Sequence, residues 1–282
     1  MDNETDSRKK ELNHLLLIPD GNRRYAKLEH LAKILSEEGN LASLKLPKDV
    51  VLQLEERIRR YVKTKRDPLY DEAGMVDYLK NLGTEADSLS RAYKKGAENI
   101  DSIIRYLLSN GLASTISVYG LQPTNLQRKA EEIDAMLQAE IEQFRKWYQD
   151  TQLLKDVKFR FVGDFALLKT HSLGHGYEEI AKSLEEDSNG QKLRIFILAP
   201  YDYRWEINQA IRDGKFEESN LIVPPVDLVI RTSGEQRISE AIPIQSRNAE
   251  YIFSRQYLPD FTVDIFNGVL KEFHNRQRRF GQ

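Results

Sequence analysis

Short, continuous apolar runs alternate along this chain with longer stretches of helical period. His14 to Ile18 (HLLLI), Thr115 to Tyr119, Val157 to Val162, Leu193 to Leu198 and Asp227 to Ile230 read as strands buried on both faces, as in a parallel sheet. Between them, Ile100, Ile103, Ile104, Leu107 and Leu108 mark one face of a helix from Gly96 to Asn110, stopped by Gly111. Leu126, Ile133, Leu137, Ile141 and Phe144 mark another, over 126–148, a stripe that suits a core face or the wall of a tunnel. From about 31 to 90 the chain is charged and helical in pattern. There, Leu52, Ile58 and Val62 predict an amphipathic helix from Pro47 to about Lys65, ended by Asp67-Pro68, with Arg57, Arg59 and Arg60 on a solvated face. Without a Gly/Ser/Pro-rich linker or a repeat, 1–282 is expected to be one α/β domain with a helical insertion at 31–90.

Composition narrows the function more by exclusion than by suggestion. Of 282 residues, 42 are Lys or Arg and 44 Asp or Glu, so nothing argues for a nucleic-acid partner or a polybasic membrane surface. No apolar window is long enough to span a bilayer and the first residues, MDNETDSRKKE, are polar, which leads us to expect a cytoplasmic protein. The absence of cysteine removes thiolate nucleophiles, disulfides and zinc–thiolate sites together.

The densest chemistry lies in Asp227 to Ser239, DLVIRTSGEQRIS. Arg231 and Thr232 fall at the carboxyl end of a strand, where open α/β sheets bind ligands. Gly234 permits a tight turn that returns Arg237 and Ser239 toward Arg231, offering two guanidinium forks and a hydroxyl to one diphosphate. Two solvated arginines on a surface turn would give the same string. A second candidate follows His14 to Ile18, in Pro19-Asp20-Gly21-Asn22-Arg23-Arg24. Glycine there lets backbone approach a ligand, the following helix start favours anions and Arg24 adds a fork. Asp20 is repulsive toward phosphate unless a cation lies between them, which points to Mg²⁺; D-G-N is also an ordinary turn. His171 and His175, four apart on an expected helix, have metal-ligand spacing but no third ligand nearby.

These two strings together resemble the signatures of the cis-prenyltransferases, the undecaprenyl diphosphate synthase family. Arg231-Thr232-Ser233-Gly234-Glu235, Arg237 and Ser239 match its R-T-[SG]-G-E-x-R-x-S. His14, Ile18, Asp20, Gly21, Asn22, Arg24 and Ala26 match its first motif, with Pro19, Arg23 and Tyr25 in place of Met, Gly and Trp. Asn125, Arg128 and Glu132 follow its Y-A-F-S-x-E-N-W-x-R loop, and Tyr201, Arg204, Glu206 and Ile207 its N-Y-G-G-R-x-E-I. Asn248 to Phe253, Leu258 to Phe261 and the R-x-R-R-F-G string from Arg276 to Gly281 resemble its last motifs. The departures are Tyr93 and Leu89, where the family has a histidine and an arginine, and Gln122 and Thr124, where it has serine and glutamate. Arg91, Lys94 or a basic residue of the insertion are the substitutes at hand.

The resemblance implies a mostly parallel sheet of about six strands flanked by helices, with a hydrophobic tunnel beneath the phosphate sites. It implies a Mg²⁺-dependent synthase condensing isopentenyl diphosphate with an allylic prenyl diphosphate in Z geometry. Asp20 and Asn125 take catalytic roles on that reading. Gly21, Asn22, Arg24, Arg128, Arg204, Arg231, Arg237 and Ser239 bind substrate, and Asp20 and Glu250 hold Mg²⁺, the latter often across a homodimer interface. Membrane association would be at most peripheral, through a lipid product. The departures leave two alternatives: irregular coupling, transfer to another acceptor or diphosphate removal on the same fold, and a non-catalytic partner subunit.

Overall fold

The apolar runs become strands at the positions they mark. A computed structural model describes residues 11–44, 46–66, 86–214 and 221–276. In it β1 (His14–Ile18), β2 (Thr115–Tyr119), β3 (Val157–Val162), β4 (Leu193–Leu198), β5 (Leu228–Arg231) and β6 (Glu250–Phe253) pair in parallel in the order β3-β4-β2-β1-β5-β6. The register aligns Ile18 with Arg231 and Arg231 with Phe253, so the loops after β1 and β5 leave the sheet side by side. Strand side chains alternate between two cores. Leu15, Leu17, Ile116, Val118, Leu228 and Ile230 enter the larger one, Leu16, Ile18, Phe196, Leu198 and Val229 the smaller. The longer helices are α1 (Asn22–Glu38), α2 (Lys48–Thr64), α3 (Ala86–Asn110), α4 (Ala130–Gln149), α5 (Gly174–Asp187), α6 (Tyr203–Arg212) and α7 (Val263–Asn275). Buried residues of α1 to α5 and α7 join the larger core, and α6 packs Tyr203 and Trp205 on the smaller, so both faces are covered, unequally. Among the described residues no helix is long and apolar enough to cross a membrane.

Three local expectations need correction. In α2 the buried residues are Val50, Leu54, Arg57, Ile58 and Tyr61, a stripe set by helical period, while Leu52 and Val62 are 66% and 51% exposed. Arg59 and Arg60 do face solvent, paired with Glu55 and Glu56, but Arg57 is buried. Helix α4 starts at Ala130 rather than Leu126, because Pro123 opens a separate turn, Pro123–Gln127, closed by reciprocal bonds between Gln122 and Asn125. His171 precedes α5 and lies 3.3 Å from Asp134, whereas His175, on the helix, pairs with Glu179, so the two do not share a helix face. The expected end of α2 at Asp67-Pro68 lies outside the described residues.

A buried polar contact ties α2 to the sheet's carboxyl edge. The Tyr61 hydroxyl donates to Asp260, a carboxylate 7% exposed that also lies 3.6 Å from Lys95. Burial and that carboxylate push the phenol far above its ordinary range, so Tyr61 remains a donor. Tyr61→Phe deletes a hydrogen bond to a charged group and is expected to cost about 2 kcal/mol. In thermal unfolding that is a fall of roughly 4–8 °C; an unchanged midpoint would show that the contact contributes nothing.

Candidate active site at the carboxyl ends of the strands

Asp20 reaches its position because the backbone around it is pinned from three directions. Its N–H donates to Thr232 Oγ1 (2.7 Å), and its carbonyl accepts from that same hydroxyl (2.8 Å) and from the Leu258 N–H (3.0 Å). Gly21 follows at φ 100°, a left-handed conformation, and a Cβ there would stand 2.5 Å from Tyr257 Cδ1 and 2.9 Å from Ser233 Cβ. Glycine is required on both counts. Across the gap, Ser233 and Gly234 both take positive φ, 73° and 77°, folding the chain after β5 back over the β1 loop.

This brings the carboxylate and guanidinium groups into direct contact. Arg231, 6% exposed, donates from Nη2 to Asp20 Oδ2 (2.8 Å) and from Nη1 to Ser239 Oγ (3.0 Å) and the Arg237 carbonyl. Its buried Nε has no hydrogen-bond partner, a donor left for a ligand. Arg24 donates to Ser233 Oγ (2.7 Å), lies 3.3 Å from Glu235 and 3.8 Å from Asp20, and covers the Tyr257 ring. Arg237 is 64% exposed and pairs with Glu235. Asn22 opens α1 with its Oδ1 buried and without a hydrogen bond, where a Cβ on Gly96 would come within 2.7 Å of it. That approach is why α3 carries glycine at 96.

A cavity of about 650 Å³ opens from this cluster, within the range of small-molecule sites. Among the described residues, six basic side chains line it: Arg23, Arg24, Lys27, Arg128, Arg231 and Arg237. It continues past Tyr93, Ala97 and Ile100 of α3 and Met136, Ala139, Phe144 and Trp147 of α4. Of the site residues expected from sequence, Asp20, Gly21, Asn22, Arg24, Asn125, Arg128, Arg231, Arg237 and Ser239 all line this one cavity. Asn125 spends its Oδ1 on the Gln122 N–H, which fixes the loop. Arg128 donates to the Tyr93 hydroxyl at 3.4 Å, so Tyr93 holds an arginine where a histidine was expected to hold phosphate.

Two expected residues are not brought to the cavity. Arg204 is 61% exposed and pairs with Asp202 and Glu240. Glu250 stands at the amino end of β6, opposite Leu228, and pairs with Arg276, so within one chain it does not meet Asp20. Of the substitutes for the missing arginine and histidine, Arg91 bonds Ser88 and Lys94 bonds Glu142, and neither they nor any described basic residue of 31–90 is among the cavity's lining residues. The basic groups that do line it, and that sequence reasoning passed over, are Arg23 and Lys27. They sit one turn apart on α1 beside Arg24, and that i,i+4 spacing was the available signal. Lys27 has its proton loosened by burial and by Arg23. Also missed were Glu140 and Gln143, which share the cavity-lining face of α4 with Met136, Ala139, Phe144 and Trp147 in a helix whose sequence is amphipathic throughout.

A basic mouth on the carboxyl edge of a parallel sheet, leading on between two helices past apolar side chains, suits an anion attached to a hydrocarbon. Comparison with known proteins gives a protein with such a site its family. The family described as "Putative undecaprenyl diphosphate synthase" matches residues 83–281. The undecaprenyl diphosphate synthase of Escherichia coli K12, named as specific for farnesyl diphosphate, is 30% identical over 67% of this chain and 80% of its own. A Thermoplasma acidophilum synthase named as geranylgeranyl-diphosphate specific is 27% identical over 86% of this chain and 97% of its own. Among solved structures, lavandulyl diphosphate synthase from Lavandula x intermedia, in complex with dimethylallyl diphosphate, superposes with a TM-score of 0.64 at 18% identity, covering 96% of this chain and 98% of that one. The chain belongs to the undecaprenyl diphosphate synthase family of cis-prenyltransferases, and is a transferase of prenyl groups.

Proposed function

We propose that this protein condenses isopentenyl diphosphate with an allylic prenyl diphosphate, forming the new double bond in Z geometry. The observation that carries the reading is the convergence of Asp20, Arg24, Arg128, Arg231, Arg237 and Ser239 on one cavity that continues between α3 and α4. Arg231 and Ser239, already bonded to each other, with Arg237 across the mouth, suit the diphosphate of isopentenyl diphosphate. Arg24 and Arg128 suit that of the donor, and the α3–α4 channel its hydrocarbon. Breaking the donor's C–O bond leaves an allylic cation. The isopentenyl double bond closes on it, a C–C bond forms, a proton leaves and inorganic diphosphate departs. Positioned donors to the leaving diphosphate contribute where charge develops, and holding two anions side by side supplies much of the remainder.

Asp20 fits a Mg²⁺ site of the usual kind, in which one or two carboxylates are completed by water and phosphate oxygens. Among the described residues no group of three or more acidic or histidine side chains could hold a metal alone, so the donor set calls for substrate. When bound, Mg²⁺ would neutralise charge on the departing diphosphate. Because Glu250 stands away from Asp20 in one chain, a contribution from it would come from a second copy, and the homodimer is part of the proposal.

The test is incubation of the purified protein with Mg²⁺, labelled isopentenyl diphosphate and allylic diphosphates of five to twenty carbons. Products growing in five-carbon steps with new Z double bonds are expected. Donor consumption without isopentenyl incorporation would replace elongation by irregular coupling or diphosphate removal, and no consumption with an added partner chain absent and present would remove the reading.

A further inference from the structure

Beyond the diphosphate-binding mouth, the cavity wall is polar where a hydrocarbon tail should meet only apolar groups. Glu140 and Gln143 lie on α4 among Met136, Ala139, Phe144 and Trp147. Glu140 Oε2 accepts from the Tyr177 hydroxyl of α5 at 2.7 Å, and Oε1 faces Gly120 at the end of β2, where an added Cβ would lie 3.4 Å away. Gln143 is 5% exposed and lines the same cavity. A buried amide needs hydrogen-bond partners, which a hydrocarbon cannot supply. A prenyl chain laid against these two side chains would strip their water and replace none of its hydrogen bonds, a cost that ordinary apolar burial does not repay.

Resting on the proposed function, we infer that Glu140 and Gln143 form a polar stop that limits the length of allylic chain this cavity accepts. Helix α4 supplies the scale. Glu132, ion-paired to Arg23 at the mouth, precedes Glu140 by about 12 Å and Gln143 by about 16 Å at 1.5 Å per residue. A fully extended covalent chain advances roughly 1.2 Å per bond, so an isoprene repeat spans about 5 Å and two to three of them reach the stop. The preferred donors are therefore allylic diphosphates of ten to fifteen carbons.

The stop also titrates. Burial raises the Glu140 carboxyl to about 7, against the Tyr177 hydrogen bond, which favours the charged form. Tyr177 is the titratable group facing it from α5, and its own proton is held well above the usual range by burial and by Glu140. Val118 of β2, Ile197 of β4 and Ile100 of α3, which line the same cavity, bring no charge. The carboxyl is neutral below pH 7 and charged above it, so a long chain is excluded more strongly as pH rises.

The experiment is calorimetric titration of the full chain, with Mg²⁺ and without isopentenyl diphosphate, using allylic diphosphates of 5, 10, 15 and 20 carbons at pH 6 and 8. In the wild type, affinity should rise to ten or fifteen carbons and not beyond. Glu140→Leu should bind the 20-carbon diphosphate about tenfold more tightly with the 5-carbon affinity unchanged. The wild-type ratio of 20-carbon to 5-carbon affinity should fall between pH 6 and 8, the shorter ligand cancelling the titration of the diphosphate itself. Glu140→Gln, which keeps size and polarity, should abolish that fall. Binding with the same length profile in the wild type and Glu140→Leu would overturn the polar stop and leave the proposed function standing. Binding of none of the four would overturn the proposed function and this inference with it.

Discussion

Asp20→Ala is expected to lower turnover by on the order of 10²-fold or more, the scale of losing one well-placed electrostatic group. The fold should survive, because the loop is held by backbone. The Asp20 N–H and carbonyl bonds to Thr232 and Leu258 do not involve its carboxylate, and Gly21 keeps its left-handed turn. What disappears is the partner of Arg231 and the carboxylate proposed to share Mg²⁺ with the substrates. The measurement is kcat at saturating labelled isopentenyl diphosphate and allylic donor, with the thermal unfolding midpoint as control. Wild-type turnover in a folded variant would remove Asp20 from the chemistry; Asp20→Asn, keeping the size but not the charge, should resemble alanine if charge is what matters.

The strands were legible because a parallel sheet covered on both faces needs continuous apolar runs, and few other elements of five or six residues do. His14–Ile18 and Leu193–Leu198 therefore fall where the hydrophobicity places them. The mouth was legible through the family resemblance: a glycine, a carboxylate and arginines at a strand's carboxyl end also make an ordinary surface turn, and only the two motifs together pointed to a diphosphate site. Helix faces were harder. An exposed Leu or Val costs little, so Leu52 and Val62 said nothing about which side of α2 is buried. The phase of α3 decides which of its residues reach the cavity. Tyr93, Ala97 and Ile100 recur at three and four and line the cavity, while Arg91 and Lys94 fall off that stripe. Glu250 shows the limit of motif reading more sharply. Its motif follows the arginine loop closely in sequence, yet the parallel register of β5 and β6 returns the chain to the amino end of the sheet before Glu250 is reached. The distance from Asp20 is a property of strand direction, which residue spacing does not express. Glu140 escaped notice because the stripe Ile133, Leu137, Ile141 and Phe144 follows the core side of α4, while the cavity touches a neighbouring face that shares only Phe144 with that stripe.

Arg231→Lys is expected to lower kcat/KM for isopentenyl diphosphate by on the order of 10²-fold, although the charge is kept. The arginine has two jobs that a point charge cannot combine. One arm of its fork holds Asp20, the other Ser239 and the Arg237 carbonyl, and its Nε remains for a ligand oxygen. An ammonium in a site 6% exposed could satisfy part of this set but not span it, leaving either the carboxylate or the arginine loop unsupported. Because the second loss misplaces a substrate, the damage should appear in KM as well as kcat. A double-mutant cycle with Asp20→Asn separates the two jobs. If the pair acts as one unit, the combined loss should be smaller than the product of the single losses by a coupling of roughly 1 kcal/mol or more. Additivity within about 0.5 kcal/mol would mean that Arg231 binds diphosphate independently of Asp20 and that their 2.8 Å contact is incidental to catalysis.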